Sequence, residues 1–134
     1  MMLRVRQYEV DVLGHVNNVV YLHYLEQAAI EHADSLGFTR KRLEELGGTF
    51  VVRRHEVEYS GGAQAGDMLE VTTWVESFSG ARAIRGYAVA HAGTGKRIVS
   101  AQTIWAWVDA RTGLPRPLPP EILTAFSPLE PHDE

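Results

Sequence analysis

The amino-acid sequence predicts an α+β fold in which an antiparallel sheet of about five strands is wrapped around one long central helix. Two observations carry this expectation. Near the N-terminus, Leu22, Leu25, Ala29, Ala33 and Leu36 recur with three-and-four spacing and form one helical stripe. Downstream, the pattern changes to alternating and β-branched runs punctuated by glycine turns, as strands joined by hairpins require. The helix is read as too apolar to lie on a surface, so the sheet is expected to curl around it.

Residues 3–10 mix Leu3, Val5 and Val10 with arginines and read as a first strand. A polar turn pivoting on Gly14 follows. The long helix is expected over residues 18–36, with Asn17 or Asn18 as its N-cap and Gly37 as its stop. A short second helix is expected over 39–46, closed by Gly47 and Gly48. Residues 49–59, carrying Val51, Val52, Val57 and Tyr59, form the next strand. Residues 68–78 alternate, with Leu69, Val71, Thr73 and Val75 on one face and Glu70, Thr72, Trp74 and Glu76 on the other. Turns at Ser79-Gly80 and at residues 93–96 lead into strands over 81–92 and 97–108. From about residue 112 the chain contains Pro115, Pro117, Pro119, Pro120, Pro128 and Pro131, which excludes regular sheet and predicts a packed or frayed extension. No repeat or linker divides residues 1–134, so a single domain is expected.

Composition narrows the function classes. With 134 residues the chain can bury one core but not two. A net charge of -4 and a pI near 5.8 argue against a nucleic-acid binder, since Glu44, Glu45, Glu56 and Glu58 dilute the basic residues around Arg40–Arg42, Arg53 and Arg54. The absence of cysteine removes thiolate nucleophiles, disulfides and cysteine-ligated metals. His32, His55 and His91 lack ligand spacing, so no metal or other cofactor is expected. No apolar run resembles a signal peptide or a membrane span, which predicts a cytoplasmic protein without a membrane partner.

Chemistry is concentrated in Asp11-Val12-Leu13-Gly14-His15-Val16-Asn17-Asn18, followed by Tyr21 and Glu26. An aspartate before a glycine turn is commonly no more than a turn former. Here it stands one turn upstream of a helix N-terminus, whose unpaired N–H groups and partial positive charge can hold a developing oxyanion. A carboxylate beside that end could attack a carbonyl or activate water. These are the parts that acyl transfer needs without serine, cysteine or metal.

Residues 11–21, with Glu26 on the helix, resemble the signature of hotdog-fold acyl-CoA thioesterases. The branch in question includes 4-hydroxybenzoyl-CoA thioesterase and bacterial long-chain acyl-CoA thioesterases, and the signature is also similar to that of plant acyl-ACP thioesterases. The resemblance continues through Val57-Glu58-Tyr59, residues 66–71 and the final strand, and so covers most of the chain. It implies a hotdog fold and hydrolysis of an acyl-CoA. It also implies that Asp11 is the catalytic carboxylate, as nucleophile or general base. Asn18 falls where the family polarises the thioester carbonyl with a backbone N–H. His15, Asn17 and Tyr21 fall where relatives line or brace the turn. Glu26 matches less closely, because the lineage that uses a helix-borne glutamate takes it from another part of the sequence. Some relatives also carry a histidine where this chain has Asn18.

The same implication covers an acyl-CoA partner and a homodimer or homotetramer with a shared site, with Arg53, Arg54, Arg82 and Arg85 available for CoA phosphates. Simpler roles stand beside these. His15 can hydrogen-bond the turn, Asn17 and Asn18 can cap the helix, Tyr21 can be a core aromatic, and a buried Glu26 would need a partner. Trp74, Trp105 and Trp107 read as packing residues, Trp105 also as an acyl-pocket wall. A non-catalytic acyl-CoA binding or assembly module of the same fold, or an acyl-ACP thioesterase, is the alternative.

Overall fold

The computed structural model describes residues 1–126. The chain order is β1 (Met2–Arg4), a 3-10 turn (Gln7–Glu9), α1 (Asn18–Ser35), α2 (Arg40–Glu45), β2 (Gly48–Tyr59), β3 (Met68–Ser79), β4 (Arg82–His91), β5 (Arg97–Asp109) and α3 (Pro120–Ala125). The strands form one five-stranded sheet in the order β1-β3-β4-β5-β2, which leaves β1 and β2 at its edges. β1 runs antiparallel to β3 with Leu3 opposite Leu69. The short β3–β4 and β4–β5 connections cannot accommodate a crossover, so those pairs are antiparallel as well.

The first strand ends well short of residue 10, and Glu9 supplies the reason. Its Oε1 accepts the Arg6 N–H at 2.8 Å and the Tyr24 hydroxyl at 2.7 Å. The Arg6 guanidinium stands 3.6 Å from Oε2. Folding the carboxylate back onto the preceding backbone requires a turn, which extended chain cannot provide. The Glu9 carbonyl then accepts the Asn17 N–H at 3.0 Å and so ties this turn to the start of α1.

Two compact units divide the described chain. One contains Met1–Glu31, Val57–Thr73 and Tyr87–Ala101; the other contains His32–Glu56, Trp74–Gly86 and residues 102–126. In the first, Tyr21, Tyr24, Leu25, Ala28 and Ala29 of α1 pack with Leu69, Val71, Tyr87, Val89, Ile98 and Val99 of the strands. Leu25 is 1% exposed, and burying such a side chain contributes about 1.5–3 kcal/mol. Leu25 and Ala29 belong to the stripe expected from sequence. Leu22 and Ala33 are only half-buried and Leu36 is exposed, because the two tyrosines fill the core-facing positions instead. The other face of α1, with His23, Glu26, Gln27 and Glu31, is exposed. The helix is thus amphipathic, where the sequence reading took it as too apolar for a surface.

In the second unit, Phe38, Val75, Trp107, Leu118, Ile122 and Phe126 form the core. The proline-rich segment is packed through residue 126. The Leu118 N–H donates to the Gly80 carbonyl at 3.0 Å, and the Arg116 N–H donates to the Trp107 carbonyl at 3.0 Å. Proline at the first positions of α3 suits a helix start, where its missing N–H has no intrahelical acceptor to lose. Pro128 and Pro131 lie outside the described residues. Trp74 is buried although alternation in β3 placed it opposite Val75. Its indole lies across Gly86, where any Cβ would collide with the ring. Trp107, fully buried, crosses Gly48 in the same way.

No described helix is long and apolar enough to cross a membrane.

Candidate active site

The turn after the 3-10 segment is built by Asp11. The Gly14 N–H donates to the Asp11 carbonyl at 2.9 Å, and the Asp11 N–H donates to the His15 carbonyl at 2.8 Å. The side-chain Oδ1 accepts from the N–H groups of Leu13 at 2.9 Å and His15 at 3.2 Å. Gly14 has φ 81°, a left-handed conformation that disfavours any side chain. The turn-former role is therefore real, but it engages one oxygen. Among the described residues Oδ2 accepts no hydrogen bond.

Asn17 caps the helix. Its Oδ1 accepts the Val19 N–H at 3.1 Å. Asn18 is the first helical residue, and its own N–H meets no acceptor among the described residues. The Tyr59 hydroxyl donates to the Asn18 carbonyl at 3.0 Å and fixes that end of α1. The 18-residue helix that follows adds its partial positive charge at this N–H.

A pocket of about 550 Å³ lies within the first unit. Asp11, His15, Asn18 and Tyr21, four of the six residues proposed from the turn and helix, line it. Val16, Gly61, Gly62, Gln64, Asp67 and His91 complete the lining. Tyr21 is 1% exposed and stacks edge-on against Tyr24, with ring centroids 5.9 Å apart. Its hydroxyl lies beside the Ala63 backbone without a well-formed hydrogen bond, and burial raises the pKa of the phenol.

The other candidates stand elsewhere. Asn17 holds the helix start but does not line the pocket. Glu26 is exposed on the outer face of α1, so it carries no burial cost and does not require the partner expected for it. Arg53, Arg54, Arg82 and Arg85 belong to the second unit, and none lines the pocket. Arg53 and Arg82 are exposed, and Arg54 pairs with Glu56 at 3.5 Å. Arg85 is 8% exposed; it reaches the His32 Nδ1 at 2.9 Å and lies 5.9 Å from the centre of the Phe126 ring. Burial, and then the Arg85 charge, hold His32 below the ordinary imidazole pKa. Among the described residues no group of three or more His, Asp or Glu side chains could hold a metal ion.

Sequence reading did not single out Gln64, and it weighed His91 only as a metal ligand. Gln64 comes to the pocket from the β2–β3 connection and His91 from the end of β4, with no periodic relation to Asp11, so nothing short-range marks either. Asp67 was noticed only as part of the resemblance.

The arrangement supplies an open carboxylate oxygen and an unpaired helix-terminal N–H in one pocket. A carbonyl bound there can be polarised by the N–H while the carboxylate attacks it or takes a proton from water.

The family model of the Thioesterase-like superfamily matches residues 5–126. The chain is similar to the long-chain acyl-CoA thioesterase FadM of Escherichia coli, 28% identical over 82% of this chain and 83% of that protein. It is 29% identical to the acyl-CoA thioester hydrolase YbgC of another E. coli strain over 92% of both. It is also 26% identical to the chloroplastic acyl-acyl carrier protein thioesterase ATL3 of Arabidopsis thaliana, but spans only 56% of that protein's length. Among solved structures, a thioesterase from Thermus thermophilus complexed with coenzyme A and Zn superposes with a TM-score of 0.81 at 29% identity, covering 94% of this chain and 89% of that one.

Proposed function

The chain belongs to the Thioesterase-like superfamily and has its hotdog fold, and from that premise we propose that it hydrolyses an acyl-CoA thioester to a free carboxylic acid and CoA. The observation that carries this reading is the open Oδ2 of Asp11 in the same pocket as the unpaired Asn18 N–H. In this reading the thioester carbonyl oxygen accepts the Asn18 N–H, and α1 stabilises the negative charge that develops on it. Asp11 either removes a proton from the attacking water or attacks the carbonyl carbon itself. In the first case water adds directly and the thiolate leaves. In the second the thiolate leaves first, and water then cleaves the acyl-aspartyl anhydride. CoA takes up a proton and departs as the thiol in both.

His15 acts through its backbone, holding Asp11 in the turn, and Asn17 acts by capping α1. Tyr21 braces the pocket, with its buried hydroxyl beside the Ala63 backbone. Glu26 and Arg85 have no part in the reaction on this reading. The exposed Arg53 and Arg82, with Arg54, remain available to CoA phosphates. The working form is a homodimer or homotetramer. This is supported by β2, a twelve-residue edge strand exposed along most of its length, which invites pairing with another chain.

An acyl-ACP substrate is the second reading, favoured by the similarity to the Arabidopsis protein. A screen for free-thiol release across short, long and aryl acyl-CoAs and an acyl-ACP tests both. Release from at least one acyl-CoA is expected. Acyl-CoA recovered intact after incubation, with acyl-ACP cleaved, would favour the second reading. Binding without cleavage of either would identify a binding module.

A further inference from the structure

One wall of the pocket is nearly bare backbone. Residues 61–64, Gly61-Gly62-Ala63-Gln64, follow β2; Gly61 and Gly62 line the pocket with backbone alone, and Gln64 lines it beside them. The wall is confined on both flanks. A Cβ on Gly61 would come within 2.9 Å of the Ile98 Cγ2, and one on Gly62 within 3.7 Å of the His15 ring. Ala63 is 1% exposed and packs in the core, whereas Gly61 and Gly62 carry no side chain, so the orientation of the Gly62 peptide depends on hydrogen bonds.

Those bonds lead in two directions. Toward the Asp11 turn, the Ala63 carbonyl accepts the Val16 N–H at 2.9 Å, and Gln64 forms an isolated antiparallel bridge with His15. Toward the sheet, the His91 Nε2 stands 3.1 Å from the Gly62 carbonyl. A carbonyl oxygen only accepts, so Nε2 carries the hydrogen and donates. The Asp67 Oδ2 accepts the Gln64 N–H at 2.8 Å and stands 3.9 Å from the His91 Nδ1. Both anchors are themselves fixed. The Val5 N–H donates to the Asp67 carbonyl at 2.9 Å, and the His91 N–H donates to the Lys96 carbonyl at 2.9 Å.

We propose that His91 is a positioning residue for the reaction: with Asp67, which accepts the Gln64 N–H, it holds residues 61–64 against the Asp11 turn and so sets where the acyl carbonyl lies relative to Asp11. This rests on the acyl-transfer reading of the pocket. Residues 61–64 have the Gly62 carbonyl tied on one side and the His15 turn on the other. Loss of the imidazole therefore releases the Gly62 carbonyl on the sheet side, while the Ala63 and Gln64 hydrogen bonds remain. Misplacing bound substrate by about 1 Å is enough to cost on the order of 100-fold in rate.

The test compares His91→Ala with His91→Gln, whose side-chain amide can replace the donor to the Gly62 carbonyl. His91→Ala is expected to lower kcat by roughly 10- to 100-fold with a much smaller change in KM. His91→Gln is expected to recover most of the loss. Amide hydrogen exchange of Val16 and Gln64 in the unliganded protein should accelerate in His91→Ala and return toward the parent rate in His91→Gln. Equal impairment of both variants would overturn the proposal, because the imidazole itself would then be required. Unchanged exchange in His91→Ala would overturn it equally. The exchange measurement needs no activity: if thiol release fails while exchange responds as expected, the functional reading falls and the positioning of the wall stands.

Discussion

The two oxygens of the Asp11 carboxylate differ in what they meet. Oδ1 is engaged by the Leu13 and His15 amides, and Oδ2 accepts no hydrogen bond among the described residues. A short-range motif can report both roles, because every partner of the turn lies within five positions of Asp11. Glu9 and Tyr24 show what such a motif cannot report. Their hydrogen bond, 2.7 Å long and buried, joins positions 15 apart, and neither residue type marks the other. The partnership of His91 with Gly62, 29 positions apart, was hidden for the same reason. Tyr24→Phe leaves the Glu9 carboxylate buried with one donor fewer. It is expected to cost about 1–3 kcal/mol, read from the denaturant midpoint at unchanged m-value. A cost near zero would show that the Arg6 contacts alone satisfy Glu9.

For whole elements, α1 and the strands β2–β5 were legible to within a few residues, since their periods are set by burial on one face. The first strand and α3 were not. Glu9 turns the chain after β1 through contacts beyond the strand, and the prolines that forbid sheet in the C-terminal segment are compatible with a helix start. The N-terminus of α1 also gives a test that separates backbone from side chain. Asn18→Ala keeps the N–H and is expected to change kcat/KM only slightly. Asn18→Pro removes the N–H at a first helical position, where proline is tolerated, and α1 is expected to persist by circular dichroism. The predicted loss in kcat is about 100-fold or more, as for removal of an oxyanion donor. Equal activity of the two variants would place carbonyl polarisation elsewhere.

Across the whole molecule, the pocket draws on Asp11, His15, Asn18 and Tyr21 from one continuous stretch, on Gln64 and Asp67 from the β2–β3 connection and on His91 from the end of β4. The first group was legible because sequence neighbours share a turn and a helix start. The second is assembled by strand order alone. The arginines expected to meet CoA were chosen by charge, and charge does not reveal burial: Arg85 packs against His32 and Phe126 while Arg53 and Arg82 are exposed. The account as a whole depends on a carboxylate at position 11. Its most direct test is kcat/KM of Asp11→Asn on the acyl-CoA that the parent protein cleaves fastest. The substitution keeps an acceptor for the Leu13 and His15 amides, so the turn is retained. A fall of at least about 100-fold, with thermal stability near that of the parent, is the predicted result. Activity within a few-fold of the parent would contradict the account.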